Sequence, residues 1–142
     1  MKLSRQHILT ATLILGGFIS SHTHAHELVL NIDKITVIKG KLMIALYDSA
    51  DHYKTNTHMV TGKQVAVTQD SMQVNLGDLP PGNYAVKLFQ DENENGKLDT
   101  NVIGIPSEAY GFSNNGGSMG QPDFEEAKFL LNGNTHIQIH LR

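Results

Sequence analysis

The chain of 142 residues contains no cysteine and no tryptophan. Without cysteine there is no disulfide, no thiol nucleophile, no iron–sulfur cluster, no Cys-based zinc site and no lipoprotein-type lipidation. Basic residues are scarce, with 11 Lys and Arg against 14 Asp and Glu, a formal net charge of −3. An acidic chain with no basic patch argues against nucleic acid and anionic membrane surfaces as partners. Aromatic residues make up only 6% of the chain, which suits core and loop anchors better than a sugar-stacking platform. Beyond residue 25 no extended helical periodicity is found, so helical bundles and doubly wound folds are disfavoured.

One continuous apolar run stands out, Ile8 to Ile19. It is shorter than the roughly 20 residues that cross a bilayer as a helix. Lys2 and Arg5 precede it and Thr23-His24-Ala25 follows, which is the layout of a secretory signal peptide cleaved after Ala25. The sequence thus divides into a leader, 1–25, and a single domain, 26–142, placed in the periplasm or outside the cell, with no transmembrane segment left after cleavage. Loss of Lys2 and Arg5 takes the formal net charge from −3 to −5.

Residues 26–142 read as short strands between turn signals. Leu28, Leu30 and Ile32 alternate with Val29, Asn31 and Asp33; Leu42 to Tyr47 is apolar on both faces, as in a central strand. Asp48 to Gly62 reads as a polar loop with room for one helical turn. Gln64–Thr68 and Met72–Leu76 alternate around Gln69-Asp70-Ser71 and predict a hairpin. Pro80-Pro81-Gly82-Asn83 is a tight turn into the strand Tyr84 to Phe89. A second hairpin is expected from Ala127–Leu131 and His136–Leu141 around Asn132-Gly133-Asn134. About seven strands with frequent turns predict an all-β, antiparallel Greek-key sandwich. The exception is one long Gly-rich loop, 91–123.

That loop opens on Asp91-Glu92-Asn93-Glu94-Asn95-Gly96-Lys97-Leu98-Asp99. Oxygen-bearing side chains stand at alternate positions and a glycine at the sixth, the D-x-[DN]-x-[DN]-G spacing that curls a backbone around a hard cation. The predicted Ca²⁺ ligands are Asp91, Asn93, Asn95, the Lys97 carbonyl and Asp99. Val102 occupies the twelfth position, where an EF-hand has a bidentate Glu, so Glu108 is the nearest replacement. The strand before the loop and Gly104 and Pro106 after it do not flank it with helices. An acidic Asn-Gly turn that holds no metal would have the same composition.

Leu79-Pro80-Pro81-Gly82-Asn83-Tyr84-Ala85-Val86, the acidic loop with its preceding Gln90 and following Thr100-Asn101, and Gly104-Ile105-Pro106-Ser107-Glu108-Ala109-Tyr110-Gly111-Phe112-Ser113-Asn114-Asn115 together resemble the bacterial domain-of-unknown-function family 2141. Phe124-Glu125-Glu126-Ala127-Lys128-Phe129 fits the same pattern, and the resemblance runs from about Leu28 to Leu141. It implies a secreted or periplasmic protein and no established activity, so no catalytic residue is carried over. The Pro-Gly-x-Tyr strand entry is also similar to that of transthyretin-like sandwiches, at the level of fold alone.

Other chemistry is thinly supported. After cleavage His26 would be N-terminal and able to chelate copper, given partners among His52, His58, His136 and His140. His136 and His140 would lie on one strand face but about 13 Å apart. No spacing selects a carboxylate pair, Ser107, Ser113 and Ser118 lack a nucleophile-elbow context, and Gly116–Gly120 lacks the Lys of a phosphate loop. The sequence therefore reads as a non-catalytic module, Ca²⁺-stabilised, that binds a protein or glycan at the cell envelope or gives structural support there. The competing readings are a small-ligand carrier or enzyme, with Glu108, Tyr110 and Asn114 converging on Asp91 in a pocket under 91–123, and a copper protein using His26.

Overall fold

The computed structural model describes residues 24–142. All but the last two residues of the expected leader lie outside them. The chain forms β1 (His26–Asp33), β2 (Lys41–Tyr47), α1 (Ala50–Thr55), β3 (Thr61–Ala66), β4 (Met72–Leu79), β5 (Gly82–Asp91), β6 (Tyr110–Phe112), a single 3₁₀ turn at Ser113–Asn115, α2 (Phe124–Ala127), β7 (Phe129–Leu131) and β8 (Thr135–His140). Two sheets result. One has the order β4-β1-β8, the other β3-β2-β5-β6, with β7 paired to the first residues of β5.

Alternation builds the core. Leu28, Leu30 and Ile32 of β1, Val74 and Leu76 of β4, and Ile139 of β8 face Leu42, Ile44 and Leu46 of β2 and Tyr84, Val86 and Leu88 of β5. Residues two apart share a face, so each strand sends its apolar set inward between the sheets. The fold is the expected all-β sandwich, with two corrections to pairing. The expected hairpins do not form: β3 pairs with β2 while β4 pairs with β1, and β7 pairs with β5 while β8 pairs with β1. The connecting segments cross between the sheets, because each strand's apolar face is needed in a different layer. The β1–β8 pair is parallel, whereas all other pairs are antiparallel.

The outer face of the larger sheet is also partly covered. Ser49 caps α1 by accepting from the His52 amide. Tyr53 of α1 and Phe124 and Ala127 of α2 then pack with Tyr47 and Ala85 in a second, smaller core. Buried Ser113 links this cover to the sheet, accepting from the Val86 amide at 2.9 Å and donating to the Ala127 carbonyl at 2.6 Å. The second half of that sheet face is left open.

The expected long loop is broken into ordered pieces. β6 pairs with β5 through Phe89↔Tyr110 and Lys87↔Phe112. Gly111 lies so close to β8 that a Cβ there would stand 2.8 Å from Ile139 Cγ2. A three-residue strand with a central glycine has no alternation to read, so the sequence pattern there is that of a loop.

Candidate functional site

β5 leaves the sheet at Asp91, which pairs with Lys41 at the start of β2. The β1–β2 turn presses against this exit: Gly40 has φ +69, and a Cβ on it would lie 2.0 Å from the Asp91 carbonyl oxygen. The chain then curls back on the Asp91 side chain. Its Oδ1 accepts from the Asn95 amide at 3.0 Å and its Oδ2 from the Gly96 amide at 2.7 Å. Asn93 Oδ1 accepts from Asn95 N at 3.1 Å, and Asn95 Oδ1 from Lys97 N at 2.8 Å, successive Asx turns that tighten the curl. Glu94 and Gly96 take left-handed backbone conformations, φ 59 and 78, and only for the glycine is that without steric cost.

Asp99 closes the ring. Its carboxylate accepts from Asn93 Nδ2 at 2.6 Å and from Asn95 Nδ2 at 3.0 Å. Glu108 reaches back from beyond the following turn. Its Oε1 accepts from the Glu92 amide at 2.8 Å and its Oε2 from the Asp99 amide at 2.9 Å. Between them, Asn101 Oδ1 accepts from the Ile103 and Ile105 amides, and Thr100 bridges to Pro106. Five of the six expected ligand positions thus share one hydrogen-bonded knot with the sixth, Lys97, whose amide is held by Asn95. Val102, at the twelfth position, is fully exposed and contributes nothing to the knot.

The donor set can be weighed against Ca²⁺. Asp91 is 2% exposed and Glu108 7%. Among the described residues neither carboxylate has an ion-pair partner: Lys39 pairs with Glu92 at 3.1 Å and Lys41 with Glu94 at 2.7 Å. The Glu94 carboxylate holds the Lys41 ammonium above its ordinary pKa. Carboxylate and amide oxygens that each accept one N–H still have a free lone pair to offer. Among the described residues, however, no three His, Cys, Asp or Glu side chains converge as a metal cluster. An ion here would need the Asn and backbone oxygens as well as carboxylates.

The other expected groupings are not assembled. Asn114 donates to the Glu126 and Lys128 carbonyls, far from the knot's partners, so Glu108, Tyr110, Asn114 and Asp91 do not converge. The Gly116–Gly120 stretch is tied down by Glu126, which accepts from the Gly117 amide, and by Arg142, which donates to the Gly116 and Gly117 carbonyls. His26 opens β1 opposite Leu79, His52 and His58 stack together at 5.0 Å, and His140 pairs with Asp33. No described trio of histidines gathers at the start of β1 to hold copper.

A concavity does lie beside segment 91–123, with Tyr110 in its lining but without Glu108, Asn114 or Asp91. It is a groove of about 720 Å³ on the open half of the larger sheet's outer face. Met43, Ala45, Phe89, Tyr110 and Phe112 line it, with Leu98 of the acidic loop at one end and Asn56 and Lys87 beside the α1 cover. The sign of it in the sequence is the run Leu42 to Tyr47: a strand apolar on both faces has something to present on its outer side as well. Burial pulls the Lys87 ammonium down to a pKa of about 8.

No helix among the described residues is long and apolar enough to cross a membrane. Neither a curated protein nor a solved structure matches the chain. A family does: residues 30–138 match Uncharacterized protein conserved in bacteria (DUF2141), and the chain belongs to that family.

Proposed function

We propose that this protein is a non-catalytic β-sandwich module of the bacterial envelope, secreted or periplasmic, whose 91–108 knot is braced by one Ca²⁺. The observation that carries the reading is the pair of buried carboxylates, Asp91 and Glu108, hydrogen-bonded to neutral amides and without a direct ion pair among the described residues, the Lys41 ammonium acting on Asp91 only from a distance. Buried charge is normally paired or coordinated to a metal. An alternating Asp-Asn-Asn-Gly curl with a distant acidic residue folded back onto it suits a hard cation that takes six to eight oxygens. Asp91, Asn93, Asn95, the Lys97 carbonyl, Asp99 and Glu108 would hold the ion. Its contribution is structural: by binding the folded state alone it raises stability through mass action. Extracellular sites of this class work at about 10⁻⁴–10⁻³ M, which makes the ion a standing part of the fold and not a signal.

The leader-like 1–25 stretch supports the envelope location, and the intact mass of protein recovered from a periplasmic extract tests it. A chain beginning at His26 is expected; one retaining residues 1–25 would contradict it. The partner is read as a protein or glycan at the cell envelope. Calcium is tested by titration into chelator-stripped protein with melting curves in parallel. One saturable site with a raised Tm is expected.

A further inference from the structure

The groove on the larger sheet combines an apolar floor with a lysine, Lys87, that has one donor to spare. Lys87 Nζ donates to the Tyr53 carbonyl and to Asn56 Oδ1 at 2.6 Å, and sits 4.0 Å over the Tyr53 ring. An ammonium has three donors, so one N–H remains for the groove that Lys87 lines. Among the described residues no carboxylate lies within ion-pair reach of it, although five other Lys and His side chains have such partners. Asn56 also lines the groove, with its Oδ1 spent on Lys87 and its Nδ2 unused among the described hydrogen bonds. Lys63, at the rim, turns its ammonium to the Asn75 carbonyl instead. The polar end of the groove is therefore Lys87 with Asn56, each lining it with a donor to spare.

We infer that this groove binds a small amphipathic anion, a carboxylate, sulfonate or similar headgroup on an aromatic or aliphatic body, with the headgroup at Lys87 and Asn56 and the body over Ala45, Phe89 and Tyr110. Charge complementarity selects the occupant. Lys87 has two neutral acceptors and the Tyr53 and Tyr47 ring faces about it but no counter-ion among the described residues, and an anion that takes its third donor supplies that charge. Direction follows from the chain. Lys87 and Asp91 are four residues apart on β5, about 13 Å, so the acidic loop lies at the far end and repels a headgroup there. The body would run from Lys87 toward Leu98, both of which line the groove. Neither Lys87 nor Asn56 belongs to the 91–108 knot, whose Gly96 and Leu98 line another part of the groove, so the headgroup site can fail or hold without the calcium site.

The test uses two dyes with the same aromatic body, the anionic 8-anilinonaphthalene-1-sulfonate and its uncharged parent N-phenyl-1-naphthylamine, titrated into the purified protein by fluorescence. The sulfonate should bind saturably at one site and more tightly than the neutral dye. Lys87→Met should weaken the sulfonate about tenfold or more, the scale of a charge-assisted hydrogen bond, and leave the neutral dye unchanged. Ala45→Phe, on the groove floor, should weaken both. Should Lys87→Met fail to fold, the wild-type pH profile decides: sulfonate affinity must fall between pH 7 and 9.5 as Lys87 loses its proton, with the neutral dye as the flat control. Equal affinity of the two dyes, an unchanged sulfonate affinity in Lys87→Met, or a flat pH profile would overturn the proposal. So would sedimentation showing a dimer that binds neither dye, because a second copy would then cover the groove.

Discussion

The residue scale is where charge and burial disagree most. Asp91 and Glu108 are buried, yet have amide hydrogen bonds and no direct ion pair among the described residues. Calcium would supply the missing positive charge. Replacing Asp91 or Asp99 by Ala should lower the Tm measured in millimolar calcium and abolish the difference between calcium and chelator; equal melting in both conditions for wild type and variant would refute the site. Tyr53 has the opposite defect. Its hydroxyl is buried with no partner among the described atoms, and burial, with smaller repulsion from the Glu126 and Asp123 carboxylates, raises its pKa well above the ordinary tyrosine value. Tyr53→Phe removes an unsatisfied donor without disturbing the ring contacts to Tyr47 and Phe124. It should stabilise the protein by about 1 kcal/mol in urea unfolding; a loss of that size would reveal a partner for the hydroxyl. Lys87 gives a pH signature. Its folded pKa is about 8 against 10.5 for the free side chain. Between those values the unfolded chain binds the extra proton, so the lysine's unfavourable share of stability shrinks as pH rises from 8 to 10.5. Stability of wild type relative to Lys87→Met should therefore increase over that range, and a constant difference would show that burial does not shift the group.

At the level of elements, strands were legible and partners were not. The runs 28–33, 42–47 and 84–89 all lie in strands, because alternation is a local property set by the pleat. Which strand pairs with which depends on the sheet each apolar face must join. Gln69-Asp70-Ser71 and Asn132-Gly133-Asn134 have good turn chemistry, yet both join strands of different sheets. β6 was invisible for a different reason, since its middle residue is a glycine required by a close approach to β8. Gly111→Ala should consequently cost about 1–3 kcal/mol, the usual range for overpacking a tight contact. A neutral result would mean that β6 moves freely against Ile139. In the acidic loop, by contrast, the spacing was informative. Gly96 takes the left-handed turn and Asp91 bonds to the fifth and sixth amides, both at positions the spacing names, while Glu108, which folds back, stands outside the motif and is only the nearest acidic residue downstream. The groove was hinted at only by β2 being apolar on both faces; its cation could not be placed without knowing that α1 folds over Lys87.

On the scale of the whole molecule, the acidic loop and the groove share a wall. Gly96 and Leu98 belong to the curl and also line the groove. A loop that loosens without its ion should soften that wall. Chelation is expected to weaken binding of the neutral naphthylamine dye modestly, and by reciprocity dye saturation should tighten calcium by the same factor. Lys87→Met should leave calcium affinity as it is, because the lysine lies at the groove's other end. Independent affinities would separate the two features completely. A calcium ion would carry weight here because a small cysteine-free sandwich relies on its apolar packing alone, and the loop 91–108 has no disulfide to hold it.

The measurement that bears most directly on this account is calorimetric titration of Ca²⁺ into chelator-stripped protein, with thermal melts at each end of the titration. The account predicts one saturable site, a higher Tm with calcium, and loss of both in Asp91→Ala. No heat and coincident melting curves would contradict it, reducing the 91–108 knot to a self-bonded turn.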